Sequence, residues 1–136
     1  SLLAAAARYA EARIAMQRAI EIAPGYEVAR FQLGLLELSS GDAAAADLTF
    51  RPLAEAESEE ALPLFARGLR HLARDELAAC ADLLRRGIAV NREHPLISRD
   101  MELILAKVDE GPAEATEDVS AAHLLLQQYA NKSTKH

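Results

Sequence analysis

Slid along itself until Gly34 meets Gly68, the chain falls into register with its own earlier part. The same displacement brings Ala12 onto Ala46 and then Cys80, Met16 onto Phe50 and Leu84, and Ile20 onto Ala54 and Ile88. No insertion is needed across three units. A fixed period of this length means stacked supersecondary units, each too small to bury its own apolar face and so covered by its neighbours. The units are helical in composition. Alanine and leucine, the strong helix formers, dominate Leu2 to Ala12 and Gly41 to Ala56. The matched positions also have a packing logic. Two helices approach closely only where side chains are small, at Gly34 and Gly68 on a first helix and at Ala12, Ala46 and Cys80 on a second. Met16, Phe50 and Leu84, four positions on, fill the space beside them.

The spacing Arg30-x2-Leu33-Gly34-x2-Glu37 followed by Ala46-x3-Phe50 resembles the tetratricopeptide-repeat family, which has the same period. The first unit adds Tyr9, Ala12-x3-Met16, Ala19 and Pro24. The third adds Leu64, Gly68, Cys80-x3-Leu84 and Ile88. The usual Trp and Tyr positions hold Arg30 and Glu37, then Leu64 and His71, and the closing proline is replaced by Ser58 and Arg92. The resemblance implies an all-α fold of antiparallel helix pairs, an α-solenoid of about three repeats with C-terminal capping helices. It covers roughly residues 1–92.

Local signals place helices near 1–7, 9–23, 27–39, 43–56, 59–73, 76–91, 95–109 and 119–130. Asp42 after Gly41 suits an N-cap, because its carboxylate can accept from a free helix N–H. Ser58-Glu59-Glu60 is a second start signal, with acids at the positive end of the helix dipole. Asp75 is expected to cap the following helix, and Pro95 suits a first turn. Pro24-Gly25 and Gly111-Pro112 read as stops. Pro52 should kink or end its helix, since it lacks an N–H and clashes with the preceding turn.

The repeats occupy residues 1–109. Ser1 falls inside a unit and no initiator Met is present, so residues are expected to precede it. A fourth unit starts with Leu96, Met101, Leu103, Ile104 and Val108 at helical spacing, but position 114, where a small residue belongs, is Glu114. Residues 110–118 read as a linker. In 119–136, Val119, Ala122, Leu125, Leu126 and Tyr129 form an amphipathic stripe ahead of a polar tail. That stripe suits either a cap on the last core face or an occupant of a groove.

In the resembled family the first helices line a concave groove. By register the resemblance assigns partner binding here to Val28, Phe31, Leu35, Leu38, Leu62, Phe65, Leu69, Leu72, Arg99 and Leu103. An apolar strip of that length is expected to be covered. A partner's helix or extended segment, a second copy, or the chain's own residues 119–130 would each serve, and the same residues would also suit ordinary interhelix core. The family's clamp for a terminal carboxylate needs cations along the groove. With Phe31, Leu35, Phe65 and Leu69 in those positions and Arg99 as the one cation, no such clamp is expected.

Charge and chemistry narrow the classes further. The net charge is −6. The basic residues are scattered among acids, with Arg85-Arg86 the one adjacent Lys/Arg pair, which argues against a nucleic-acid surface. No apolar run approaches a membrane span, and Leu2 to Ala7 lacks the charged start of a secretory signal. The single thiol, Cys80, cannot form an internal disulfide and sits in a small-residue position, so a buried, inert role is expected. A cytoplasmic setting is expected, with a periplasmic one also compatible. His71, His94, His123 and His136 lack metal-ligand spacing, and no nucleophile elbow, P-loop or dinucleotide fingerprint occurs. Neither a metal, a cofactor nor an enzymatic activity is therefore expected. Glu37 and His71 occupy equivalent positions on neighbouring first helices, where a mutual hydrogen bond would serve packing. The sequence thus points to an adaptor or chaperone-like module for another protein's apolar segment. The alternatives are a self-assembling or structural domain, or the regulatory part of an enzyme.

Overall fold

A computed structural model of the chain describes residues 1–111. They form six α-helices and no strand: α1 (Leu2–Ile22), α2 (Glu27–Ser39), α3 (Ala43–Ala54), α4 (Ala61–Ala73), α5 (Leu77–Val90) and α6 (Pro95–Asp109). The period of the sequence reappears in their starts. Glu27, Ala61 and Pro95 open α2, α4 and α6, and Ala43 and Leu77 open α3 and α5, each step being the displacement that carries Gly34 onto Gly68. The segments expected at 1–7 and 9–23 are one helix, because nothing in Leu2–Ile22 breaks it: it contains neither proline nor glycine. The helix expected near 119–130 lies outside the described residues, as does the expected linker beyond Gly111.

Each helix packs on its chain neighbours, and α2 also touches α4. The contacts run antiparallel. Arg13 of α1 reaches Glu37 near the end of α2, and Tyr9, earlier on α1, reaches Asp42 just beyond that end. Gly68 of α4 faces Leu84 of α5, while Phe65, earlier on α4, faces Gly87, later on α5. Asp47 and Ala54 of α3 are bonded by Arg70 and Arg67 of α4.

The close approaches inferred at Gly34 and Gly68 are present. A Cβ on Gly34 would stand 2.4 Å from Cε1 of Phe50, and one on Gly68 would stand 3.1 Å from Cδ2 of Leu84. A third approach has no counterpart in the repeat pattern: a Cβ on Gly87 would stand 2.4 Å from Cε1 of Phe65.

Turn chemistry explains the helix ends. Asp42 caps α3, its carboxylate accepting from the N–H of Ala45 at 3.3 Å. Asp75 does not cap α5. Glu76 holds that position, and Asp75 takes the left-handed conformation with φ 58°. Its equivalent one period earlier is Gly41, with φ 88°. The turn between first and second helices needs one left-handed residue. Gly adopts that conformation freely, and Asp tolerates it better than most. α4 starts at Ala61, slightly later than expected, with Glu60 at its N-cap and the Ser58 hydroxyl accepting from the N–H of Glu60.

Pro52 lies in the last turn of α3, and the helix ends at Ala54. Arg67 bonds backbone carbonyls at and beyond that end. Its Nε donates to the carbonyl of Ala54 at 2.9 Å, and Nη2 donates to those of Ala56 and Ser58.

Candidate functional site

The residues assigned to a groove divide into two groups. Phe31, Leu35, Leu38, Leu62, Phe65, Leu69 and Leu72 are buried, none more than 5% exposed. The Phe31 ring stands 5.9 Å from that of Phe50 and 6.2 Å from that of Phe65, so an aromatic row links α3, α2 and α4 and continues to Gly87 of α5. Val28 is half-buried against the same cluster. Interhelical core, rather than an open groove, is the setting of these eight. The reason is geometric. The stripe carrying Phe31 and Phe65 turns toward the second helix of the same unit, and the glycines let that helix come close enough to cover it.

Arg99 and Leu103, the remaining two, are exposed, Leu103 at 42%. Leu96 beside them is 75% exposed. Leu96, Arg99 and Leu103 stand one period after Leu62, Phe65 and Leu69, all buried. α6 therefore carries the same stripe as α4, but among the described residues nothing covers it. Its other face is fully used, with Ile97, Met101, Ile104 and Val108 buried in the core.

α1 shows a second open face. None of its residues is buried. Tyr9, Ala12, Arg13, Met16 and Ile20 are half-buried. Ile14 and Ile22 are 59% and 77% exposed. A shallow depression runs along Glu11, Ile14, Ala15, Arg18, Ala19 and Ile22.

The polar contacts read as structural. Glu37 is 1% exposed and is the one buried charged side chain among the described residues. It accepts from Nε of Arg13 at 2.9 Å and from the Thr49 hydroxyl. His71 pairs through Nδ1 with Glu76 at 2.9 Å. Glu37 and His71 thus take separate partners, on the elements next to each, instead of bonding one another. The phenol of Tyr9 donates to Asp42, and burial together with that carboxylate raises its pKa. Asp47 accepts from Nε of Arg70 at 2.8 Å, and this bond holds its carboxyl below the usual range. The α1–α2 and α3–α4 junctions thus each carry an ion pair, Arg13 to Glu37 and, with Asp47 standing one period after Arg13, Asp47 to Arg70.

Cys80 is fully buried, and desolvation pushes its thiol up to about 12. A nucleophilic cysteine needs the reverse, an accessible thiol stabilised as thiolate. A cleft of about 380 Å³ lies between the starts of α4 and α6, lined by Glu27, Glu59, Glu60, Glu93 and His94 among others. No group of three or more His, Cys, Asp or Glu among the described residues is placed to hold a metal ion, and none of their helices is long and apolar enough to cross a membrane.

No protein-family model matches the chain, and no curated protein or solved structure does so.

Proposed function

We propose that this chain is a protein-interaction module of tetratricopeptide-like build, non-enzymatic and cytoplasmic, that takes an apolar helix of another protein against the uncovered face of α6. The observation that carries the reading is the unequal fate of one stripe. On α4 it is buried, and on α6 the equivalent Leu96, Arg99 and Leu103 face solvent. A helix docked there would complete a fourth pair as α5 completes the third. Its apolar side would lie on Leu96 and Leu103, and a carboxylate at its edge would meet Arg99. Helix-in-groove recognition uses such i, i+3, i+7 anchors.

A photo-cross-linking residue at position 103, with position 48 on the outside of α3 as control, tests this. The expected result is a cross-link from 103 to a helical segment of a second protein, lost in a Leu96→Glu, Leu103→Glu variant that keeps its helicity. Cross-linking of 103 only to residues 119–130 of the same chain would instead support a structural cap. The apolar stripe Val119, Ala122, Leu125, Leu126 and Tyr129 in the sequence favours that second reading.

A further inference from the structure

Beyond α6 the period of the sequence is broken once and then resumes. With residues 110–117 set aside as an insertion, Asp118 follows Asp42 and Glu76, the N-caps of α3 and α5. The small residues Ser120-Ala121-Ala122 then follow Ala44-Ala45-Ala46 and Ala78-Ala79-Cys80, and Leu126 follows Phe50 and Leu84. Without the insertion, Glu114 and Asp118 would fall where α3 and α5 bury Ala46, Cys80, Phe50 and Leu84.

The face that such a segment would cover is open. Leu96, Arg99, Leu103 and Ala106 are exposed on α6, one period after the buried Leu62, Phe65, Leu69 and Leu72 of α4. The fit is looser than in the third unit. There α4 and α5 approach at Gly68, against Leu83 and Leu84, and at Gly87, against Phe65. The residues corresponding to those glycines are Glu102 and Tyr129. Helices with no small residue at the crossing stay further apart and share fewer close contacts.

We propose that residues 119–130 are the second helix of the fourth unit, lie antiparallel on the open face of α6, and must be displaced before a partner's helix can reach it. Displacement rests on the partner reading of that face; the cover itself does not. The occupant is this segment because it repeats, position by position, the residue types of the helices that cover the equivalent faces. The short connection from Gly111 also keeps its effective concentration at the face high. The cover is exchangeable because the two glycines that draw α4 and α5 together have no counterpart in it.

The third unit supplies the geometry of the test. A Cβ on Gly68 would stand 3.3 Å from Cβ of Leu83, and the corresponding pair is Glu102 and Leu125. Slightly wider spacing brings cysteines at these positions into disulfide range, about 3.5–4.5 Å between Cβ atoms. Under mild oxidation the full-length Glu102→Cys, Leu125→Cys protein should close an intramolecular disulfide at least about tenfold faster than Glu102→Cys, Leu124→Cys. Position 124 follows Leu48 and Asp82, both exposed, so a segment with no fixed seat would close the two pairs alike. Cys80 is fully buried and does not compete. A photo-cross-linking residue at position 103 of the first protein then reads displacement. Its cross-link to a second protein should fall about tenfold or more on oxidation and return on reduction. No disulfide, or equal rates for the two pairs, overturns the cover whatever the cross-link shows. A specific disulfide that leaves the partner cross-link unchanged overturns displacement. A specific disulfide with no second protein captured in either state sinks the partner reading, and displacement with it, while the cover stands.

Discussion

Replacing Gly34 by alanine should destabilise the protein, although helix propensity alone argues the other way. Gly34 lies in the middle of α2, where alanine is better than glycine by about 1 kcal/mol. The new Cβ, however, would stand 2.4 Å from Cε1 of Phe50 and 2.7 Å from both Cδ1 and Cζ. Carbon atoms pack best near about 3.5–4.0 Å, so this approach is roughly 1 Å too close. The ring cannot simply swing away, because Phe31 stands against it with centroids 5.9 Å apart and the whole side chain is buried. Overpacking of this kind costs about 1–3 kcal/mol. With the upper part of that range applying and the propensity gain subtracted, the net loss should be about 2 kcal/mol.

Urea denaturation followed by circular dichroism would read this as a lower midpoint at unchanged slope. A double-mutant cycle with Phe50→Leu sharpens the assay. The pair should be less destabilised than the sum of the singles by about 1 kcal/mol or more, since the smaller side chain relieves the clash. Gly68→Ala is the internal control. Its nearest neighbour is the flexible end of Leu84 at 3.1 Å, so it should fall within about 1 kcal/mol of wild type. A Gly34→Ala protein as stable as wild type would refute the close approach of α2 and α3 on which the packing account rests.

Other perturbations follow from the polar contacts. Arg13→Ala should cost about 2–3 kcal/mol in the same assay, because it strands the buried carboxylate of Glu37 with only Thr49 as partner; Glu37→Gln, which keeps polar bonding capacity and leaves the partly exposed Arg13 to water, should cost less. The Asp47 carboxyl titrates below its unfolded value, chiefly through the bond from Arg70, so its contribution is present above the unfolded pKa and is lost as pH falls through the folded one. Arg70→Ala should therefore flatten the acid side of a stability–pH profile, measured from neutral pH down to about pH 3. Cys80, with its thiol pushed up to about 12 and fully buried, should react with an aromatic disulfide reagent at mildly alkaline pH only after urea opens the fold; fast labelling of the native protein would contradict its placement.

Much of the framework is legible in the sequence. The repeat register anticipates the starts of α2, α3 and α6, and the small residues mark where helices meet, because a repeated contact must be made by residues at a repeated spacing. Asp42 as a cap and Pro95 in a first turn are equally local matters. Asp75 differs from expectation by a single position: its residue type suits both a cap and a left-handed turn, and only its equivalence to Gly41 separates the two. The merging of 1–7 with 9–23 has a similar cause, since an alanine-rich run shows no apolar period from which continuity can be read.

The candidate site is less legible. A stripe such as Phe31, Leu35 and Leu38 says that one face of a helix must be covered, not by what. Covering by the chain's own second helix and covering by a partner demand the same residues at the same spacing. The period, the helical class and the close approaches at Gly34 and Gly68 were determined by the sequence alone, because each depends on residues near one another along the chain or on exact repetition. Only the tertiary structure decided that Phe31 and Phe65 lie inside, that Gly87 receives Phe65, that Glu37 pairs with Arg13, and that among the described residues nothing covers Leu96, Leu103 and the outer stripe of α1. Those outcomes turn on how far each helix rotates about its axis when it packs on its neighbours, and that rotation is set by the side chains of both partners together.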